Sequence, residues 1–147
     1  MFRELRKAQY HETDQMGVIH HAAYVKWMEE ARVAYLDQLG YGYVEIERDG
    51  VVCPVIGISI DYKRPVAFFD EVEIEVRVEA YNGRVLELGY TMRNRTKGTL
   101  CTRATSRHCF LKDGRTVSLR QALPKLDALL TREREQTEER TEDDAND

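Results

Sequence analysis

The sequence predicts an α+β domain in which a single long helix packs against an antiparallel sheet. Three observations carry this. Helical periodicity appears early, between about Ala22 and Leu39, long alternating segments fill the chain from Val51 to Leu111, and Asn82-Gly83, Lys97-Gly98 and Asp113-Gly114 punctuate them as turns. A chain of 147 residues, 42% of them apolar, has enough length to bury one core and little room for a second domain.

Taken in order, Phe2 to Tyr10 is compatible with a first strand, and Thr13-Asp14-Gln15-Met16-Gly17 reads as a loop. Gly17 there supplies a positive φ or allows another chain to approach closely. In the helix, Tyr24, Met28, Ala31 and Tyr35 fall at i, i+4, i+7 and i+11, with Trp27 and Ala34 beside them and Lys26, Glu30 and Asp37 opposite. Gly40 stands where a helix stops. From Val51 to Tyr62, Ile56, Ile58, Ile60 and Tyr62 alternate with Gly57, Ser59 and Asp61 as a strand, which Pro65 ends. Next, Val72, Ile74, Val76, Val78 and Ala80 alternate with Glu71, Glu73, Glu75, Arg77 and Glu79, the pattern of a strand buried on one face. The return strand, Arg84 to Arg95, carries Leu86, Leu88, Tyr90 and Met92 on one face, and Thr99 to Leu111 forms the last long strand. Pro124 suits the first position of a short C-terminal helix carrying Leu126, Leu129 and Leu130. One helix cannot cover this much sheet, so burial between subunits is expected.

Charge and cysteine content narrow the function classes. From Arg132 onward eight acids stand against three bases, leaving that segment at −5 and the rest of the chain at +1 of the −4 total. A near-neutral body gives no electrostatic reason to expect a nucleic-acid partner. Residues 1–131 read as the folded domain and 132–147 as an acidic, disordered tail. Cys53, Cys101 and Cys109 are odd in number and lack Cys-x-x-Cys spacing, which argues for reduced thiols rather than disulfides or a zinc site. No secretory leader and no integral membrane segment is read from the sequence, and a cytoplasmic location is expected.

The chemically dense stretch is Tyr10, Glu12, Thr13, Asp14, Gly17, Val18, His20, His21, Tyr24, Glu29 and Arg32. It puts an acid just ahead of a buried helix, whose first N–H groups have no intrahelical partners and carry the positive end of the dipole. A carbonyl docked there meets oxyanion-hole donors, each worth roughly 10² to 10³ in rate. The carboxylate then attacks it or takes a proton from an attacking water. Position alone favours Asp14 as a helix cap or turn residue. His20 and His21 are too few and wrongly spaced for a metal centre even with His11, and no metal is expected. Ser59, Ser106 and Ser118 lack a Gly-x-Ser-x-Gly elbow, and phosphate-cradling Gly-rich loops are absent.

The run Tyr10-His11-Glu12-Thr13-Asp14-Gln15-Met16-Gly17-Val18-Ile19-His20-His21-Ala22-Ala23-Tyr24, continuing to Glu29 and Arg32, resembles the signature of the 4-hydroxybenzoyl-CoA thioesterase family, in particular its YbgC-like, Tol-Pal-associated branch of acyl-CoA thioesterases. Tyr62 with Pro65, Asp70-Glu71-Val72 and the stretch Phe110 to Val117 extend the similarity over residues 2 to 130. Ala23, where many relatives carry Asn, and His20, where an aromatic is frequent, depart from it. The resemblance implies a hotdog fold, a five-stranded antiparallel sheet wrapped around the long helix, in homodimers paired edge to edge and associating into homotetramers, with sites at the dimer interface. It implies acyl-CoA hydrolysis with Asp14 as general base or nucleophile and the His21 backbone amide polarising the carbonyl. Gly17, Val18, His20, Tyr24 and Glu29 are implied to shape or line the pocket. No cofactor is implied beyond coenzyme A as part of the substrate. Coenzyme A carries phosphates, so bases are expected at the mouth, with Lys63, Arg64, Arg93, Arg95 and Lys97 as candidates. An acyl carrier protein as acyl donor and non-catalytic binding of acyl thioesters are the competing readings.

Overall fold

A computed structural model describes residues 1–147. Five strands form one antiparallel sheet: β1 (Phe2–Lys7), β2 (Val55–Tyr62), β3 (Glu71–Tyr81), β4 (Val85–Asn94) and β5 (Thr99–Cys109), in the order β1-β3-β4-β5-β2. The long helix α1 (Ala23–Leu39) lies over β3 and β1. Gly40, at φ +90°, ends it by turning its N–H back to Leu36 and Asp37. The expected α+β arrangement is therefore present, with sharper boundaries. β1 stops at Lys7 and is followed by a 3-10 turn over Tyr10–Glu12. β2 starts only at Val55, because Val52 makes a lone bridge to Leu111. A short helix α2 (Tyr43–Arg48), a hairpin β6 (Leu111–Lys112) and β7 (Arg115–Thr116), and the one-turn α3 (Leu119–Ala122) lacked a readable period in the sequence.

The core sits between α1 and one face of the sheet. Trp27, Met28, Ala31 and Tyr35 of the helix are fully buried, as are Val72, Ile74, Val76 and Val78 of β3 and Leu88, Tyr90 and Met92 of β4. Each large apolar side chain so buried contributes roughly 1.5–3 kcal/mol before entropy is counted. A polar seam crosses this core. The Arg32 guanidinium donates to Tyr43 Oη at 2.8 Å and to Tyr90 Oη at 3.4 Å, Tyr90 meets Ser106 at 2.7 Å, and Ser106 meets His108 Nε2 at 2.7 Å.

The other end of the sheet is less covered. On β2, Val55, Ile56, Ile58 and Tyr62 are 43%, 48%, 42% and 50% exposed, because α1 sits on the opposite half of the sheet. The alternation in this strand is real, yet neither of its faces is buried within one chain.

The acidic terminus corrects a sequence expectation. Residues 132–147 were expected as a disordered tail, but α4 runs without a break from Pro124 to Asn146. Glu133 and Thr137 are buried, and Glu133 accepts a 2.6 Å hydrogen bond from Tyr35 Oη in the core. The physical reason lies in β3, which outruns its neighbour. β1 pairs with β3 only from Glu71 to Val76, and α4 packs where Arg77–Tyr81 would present an open strand edge. Arg134 donates to the Tyr81 carbonyl at 2.9 Å, and Tyr81 Oη donates to Asp127 at 2.5 Å. No helix is long and apolar enough to cross a membrane.

Candidate active site

Residues 12–20 close on themselves as a small hairpin. The His20 N–H donates to the Glu12 carbonyl at 2.8 Å, Thr13 bridges Ile19, and the Asp14 N–H donates to the Val18 carbonyl at 2.9 Å. Gly17 turns the tip with φ +78°, a conformation costly for any residue with a Cβ, while no atom crowds the position. Within the turn, Asp14 Oδ1 accepts the Met16 N–H at 2.8 Å and the Val18 N–H at 3.4 Å. Of the roles anticipated for Asp14, the turn role is visible in Oδ1, which holds the turn, while Oδ2 is unengaged.

Three residues past the hairpin, α1 begins. The Ala22 N–H donates to His20 Nδ1 at 3.1 Å and the Ala23 N–H to the His20 carbonyl at 2.9 Å. The His21 N–H, just before them in the chain, donates to no group of the protein. The His21 carbonyl is held in turn by Tyr62 Oη at 2.8 Å. Tyr62 packs edge-on against Tyr24 with ring centres 5.1 Å apart.

These groups surround a cleft of about 270 Å³ lined by Asp14, Met16, Val18, Ile19, His21, Tyr24, Tyr62, Lys63, Arg64 and Pro65. Five of the ten are apolar, and the polar ones converge from three segments. A volume at the lower end of small-molecule sites fits a pocket with one wall left open. Tyr24 is buried, and burial pushes its phenol up to about 12, so it is a neutral wall and hydrogen-bonding group near neutral pH.

Of the residues anticipated from sequence, Asp14, Val18, His21, Tyr24, Lys63 and Arg64 meet in this cleft. Gly17 shapes it from the hairpin tip without lining it. His20 and Glu29, expected to line the pocket, lie outside it. His20 stacks on His21 with ring centres 4.1 Å apart and borders a separate hollow with His11, Glu12 and Lys26. Glu29 points to solvent and faces Arg32 at 3.9 Å. Among the other proposed bases, Lys97 pairs with Asp70 at 3.2 Å and Arg95 with Glu73 at 3.5 Å, and Arg93 borders a hollow beside α4. Met16, Ile19, Tyr62 and Pro65 complete the lining; they were quoted for the family resemblance but given no pocket role. Tyr62 and Pro65 bracket the end of β2, and a strand end beside a helix start is the signal that would have found them.

Glu12 was read as one member of the dense stretch, without a role. Its carboxylate is buried and accepts the Trp27 Nε1–H at 2.7 Å, an Arg6 guanidinium N–H at 2.7 Å and the Gln9 N–H at 2.9 Å. No three His, Cys, Asp or Glu residues stand close enough together to hold a metal ion.

Comparison with known proteins places the chain in a family. A thioesterase-like superfamily model matches residues 8–130. A Bacillus subtilis protein described as putative acyl-CoA thioesterase YneP is 38% identical over 120 residues, 80% of this chain and 86% of that protein. The Escherichia coli acyl-CoA thioester hydrolase YbgC is 28% identical over 86 residues, 58% of this chain and 64% of that protein. Among solved structures, the DHNA-CoA thioesterase of Staphylococcus aureus superposes with a TM-score of 0.88 at 28% identity, covering 93% of each chain. With the family match spanning hairpin, cleft, helix and sheet alike, the chain belongs to the thioesterase-like superfamily and is a hotdog-fold thioesterase.

Proposed function

We propose that this thioesterase hydrolyses acyl-CoA substrates, with Asp14 Oδ2 as the reacting oxygen and the His21 N–H as the donor that polarises the thioester carbonyl. The observation that carries the reading is the pairing in one cleft of an unengaged carboxylate oxygen and an unpartnered backbone N–H beside the start of α1. The thioester carbonyl oxygen accepts from the His21 N–H, which strengthens as negative charge builds on that oxygen. Oδ2 then either removes a proton from the attacking water or adds to the carbonyl carbon to give an anhydride that water opens. In both routes the C–S bond breaks and coenzyme A leaves as the thiol; water supplies the new oxygen of the product acid on the general-base route, whereas an anhydride opened at the Asp14 carbon passes an Asp14 oxygen to the product and keeps the water oxygen in Asp14.

Lys63 and Arg64, exposed at the rim, are positioned for coenzyme A phosphates. Val18 and Tyr24 line the acyl side, and no cofactor is required beyond the coenzyme A of the substrate. A homodimer, through the exposed apolar residues of β2, supplies the missing wall, and pairs of dimers form a tetramer. Free thiols at Cys53, Cys101 and Cys109 suit work in the cytoplasm.

The test is free-thiol release from acetyl-, hexanoyl-, palmitoyl- and benzoyl-CoA by the wild-type chain and by Asp14→Asn. Asp14→Asn is expected to fold normally and lose at least about 10³-fold in kcat, on the scale of losing the central group of a catalytic unit. Retention of most activity removes Asp14 from the chemistry. Turnover of the same acyl group on acyl carrier protein but not on coenzyme A overturns the donor assignment. Label in Asp14 after single turnover in ¹⁸O-water establishes direct attack with the anhydride opened at the Asp14 carbon, since general-base catalysis sends all of the water oxygen to the product.

A further inference from the structure

Glu12 is a buried carboxylate held by three hydrogen-bond donors and has no place in the chemistry just described. It is 7% exposed, and three donors reach it from three different elements: Arg6 of β1, the Gln9 main chain at the head of the 3-10 turn, and the Trp27 indole on α1. Arg6 is itself tied to the helix through Glu30, with its Nε 2.5 Å from that carboxylate, and its guanidinium sits 5.1 Å from the centre of the Trp27 ring. Burial pushes the Glu12 carboxyl up, but hydrogen bonds from Trp27, Gln9 and Arg6 together outweigh it and hold the group below its ordinary range, so it stays charged.

The main chain of the same residue does something else. Its carbonyl accepts the His20 N–H at 2.8 Å, the bond that closes the base of the hairpin carrying Asp14. Asp14 follows two residues later and His21 follows the donor directly. One residue thus grips the fold through its side chain and the reacting hairpin through its backbone. The grip extends along the cleft wall: Trp27 packs on Tyr24 with ring centres 5.0 Å apart, Tyr24 packs on Tyr62, and Tyr62 Oη holds the His21 carbonyl. A helix cap or a core-filling side chain would do only half of this.

From this geometry we infer that Glu12 is a positioning residue, whose carboxylate fixes the Asp14 hairpin against α1 so that Oδ2 and the His21 N–H address the same carbonyl. The inference rests on the assignment of Asp14 and His21 above. Loosening the clamp leaves both groups present but misplaced, and a displacement of about 1 Å at a reacting group costs on the order of 10²-fold in rate. The loss falls on kcat, since the cleft wall and the Lys63 and Arg64 rim that bind substrate are left in place.

The experiment compares wild type, Glu12→Gln, Trp27→Phe and Asp14→Asn by steady-state thiol release on whichever of the four acyl-CoAs is turned over fastest. Each variant is assayed about 20 °C below its own Tm, so that loss of fold does not enter the rates. Glu12→Gln keeps the volume but faces two donors with an amide nitrogen on one side, and is expected to lower kcat about 30- to 100-fold with KM changed less than about 3-fold. Trp27→Phe keeps the aromatic packing and removes a single donor, with kcat lowered about 5- to 10-fold, and it serves as the probe should Glu12→Gln fail to fold. Folded Glu12→Gln with kcat within about 3-fold of wild type, or a rise in KM at constant kcat, overturns the inference; Trp27→Phe at wild-type kcat does so where it stands alone. An active Asp14→Asn signals instead that the underlying assignment of the reacting group has failed.

Discussion

A buried histidine without a charge partner behaves differently from one at a surface. His108 is fully buried, meets Ser106 through Nε2 and leaves Nδ1 without a partner, and burial together with the Arg32 charge pushes it down to about 4. The folded state holds it neutral and the unfolded chain does not. Its contribution to stability is complete above the ordinary histidine pKa of about 6.5 and is lost as pH falls from there toward 4. Urea unfolding is expected to show about 2 kcal/mol less stability at pH 5 than at pH 7 from this group, and His108→Gln should flatten that slope. Equal slopes for the two proteins would place the acid sensitivity elsewhere. At the cleft, Tyr62→Phe removes the bond to the His21 carbonyl and should lower kcat about 3- to 10-fold with little change in Tm, the scale of one modest hydrogen bond. Individual residues were legible in the sequence where a motif fixed them, as with Asp14 and His21. The similarity took in Glu12 and Tyr62 as well but not their contacts, which come from partners 15 and 41 residues away that only the folded chain brings together.

At the scale of elements, periodicity told truly for α1 and for β3, β4 and β5. The register of β3 on β4 buries the very alternation Val72, Ile74, Val76, Val78 seen in the sequence. The failure at the C-terminus has a clear origin: charge density in residues 132–147 looks like solvation, but a helix needs only a narrow stripe of contacts, and Leu126, Leu130, Glu133 and Thr137 supply it at helical spacing. Truncation after Thr131 therefore strands the Tyr35 hydroxyl in the core and uncovers the end of β3. It is expected to cost about 2 kcal/mol and lower Tm by several degrees in thermal unfolding, whereas a disordered tail would be removed without effect.

For the whole molecule, the uncovered half of the sheet is the dominant feature. β2 is an edge strand with apolar side chains on view, an arrangement that monomeric proteins avoid. Ile58→Glu is expected to convert a dimer into monomers by light scattering and to lower thiol release along with it, because the cleft then keeps its open wall. A wild-type chain that runs as a monomer at micromolar concentration would refute the shared site.

The hairpin that carries Asp14 also makes its carboxylate asymmetric. Two amides already occupy Oδ1, which leaves Oδ2 as the oxygen open to a ligand in the cleft. Under the proposed reaction, the turn that fixes the shape of the loop also selects the working oxygen, and the acid produced in one turnover must clear that single port before the next can begin.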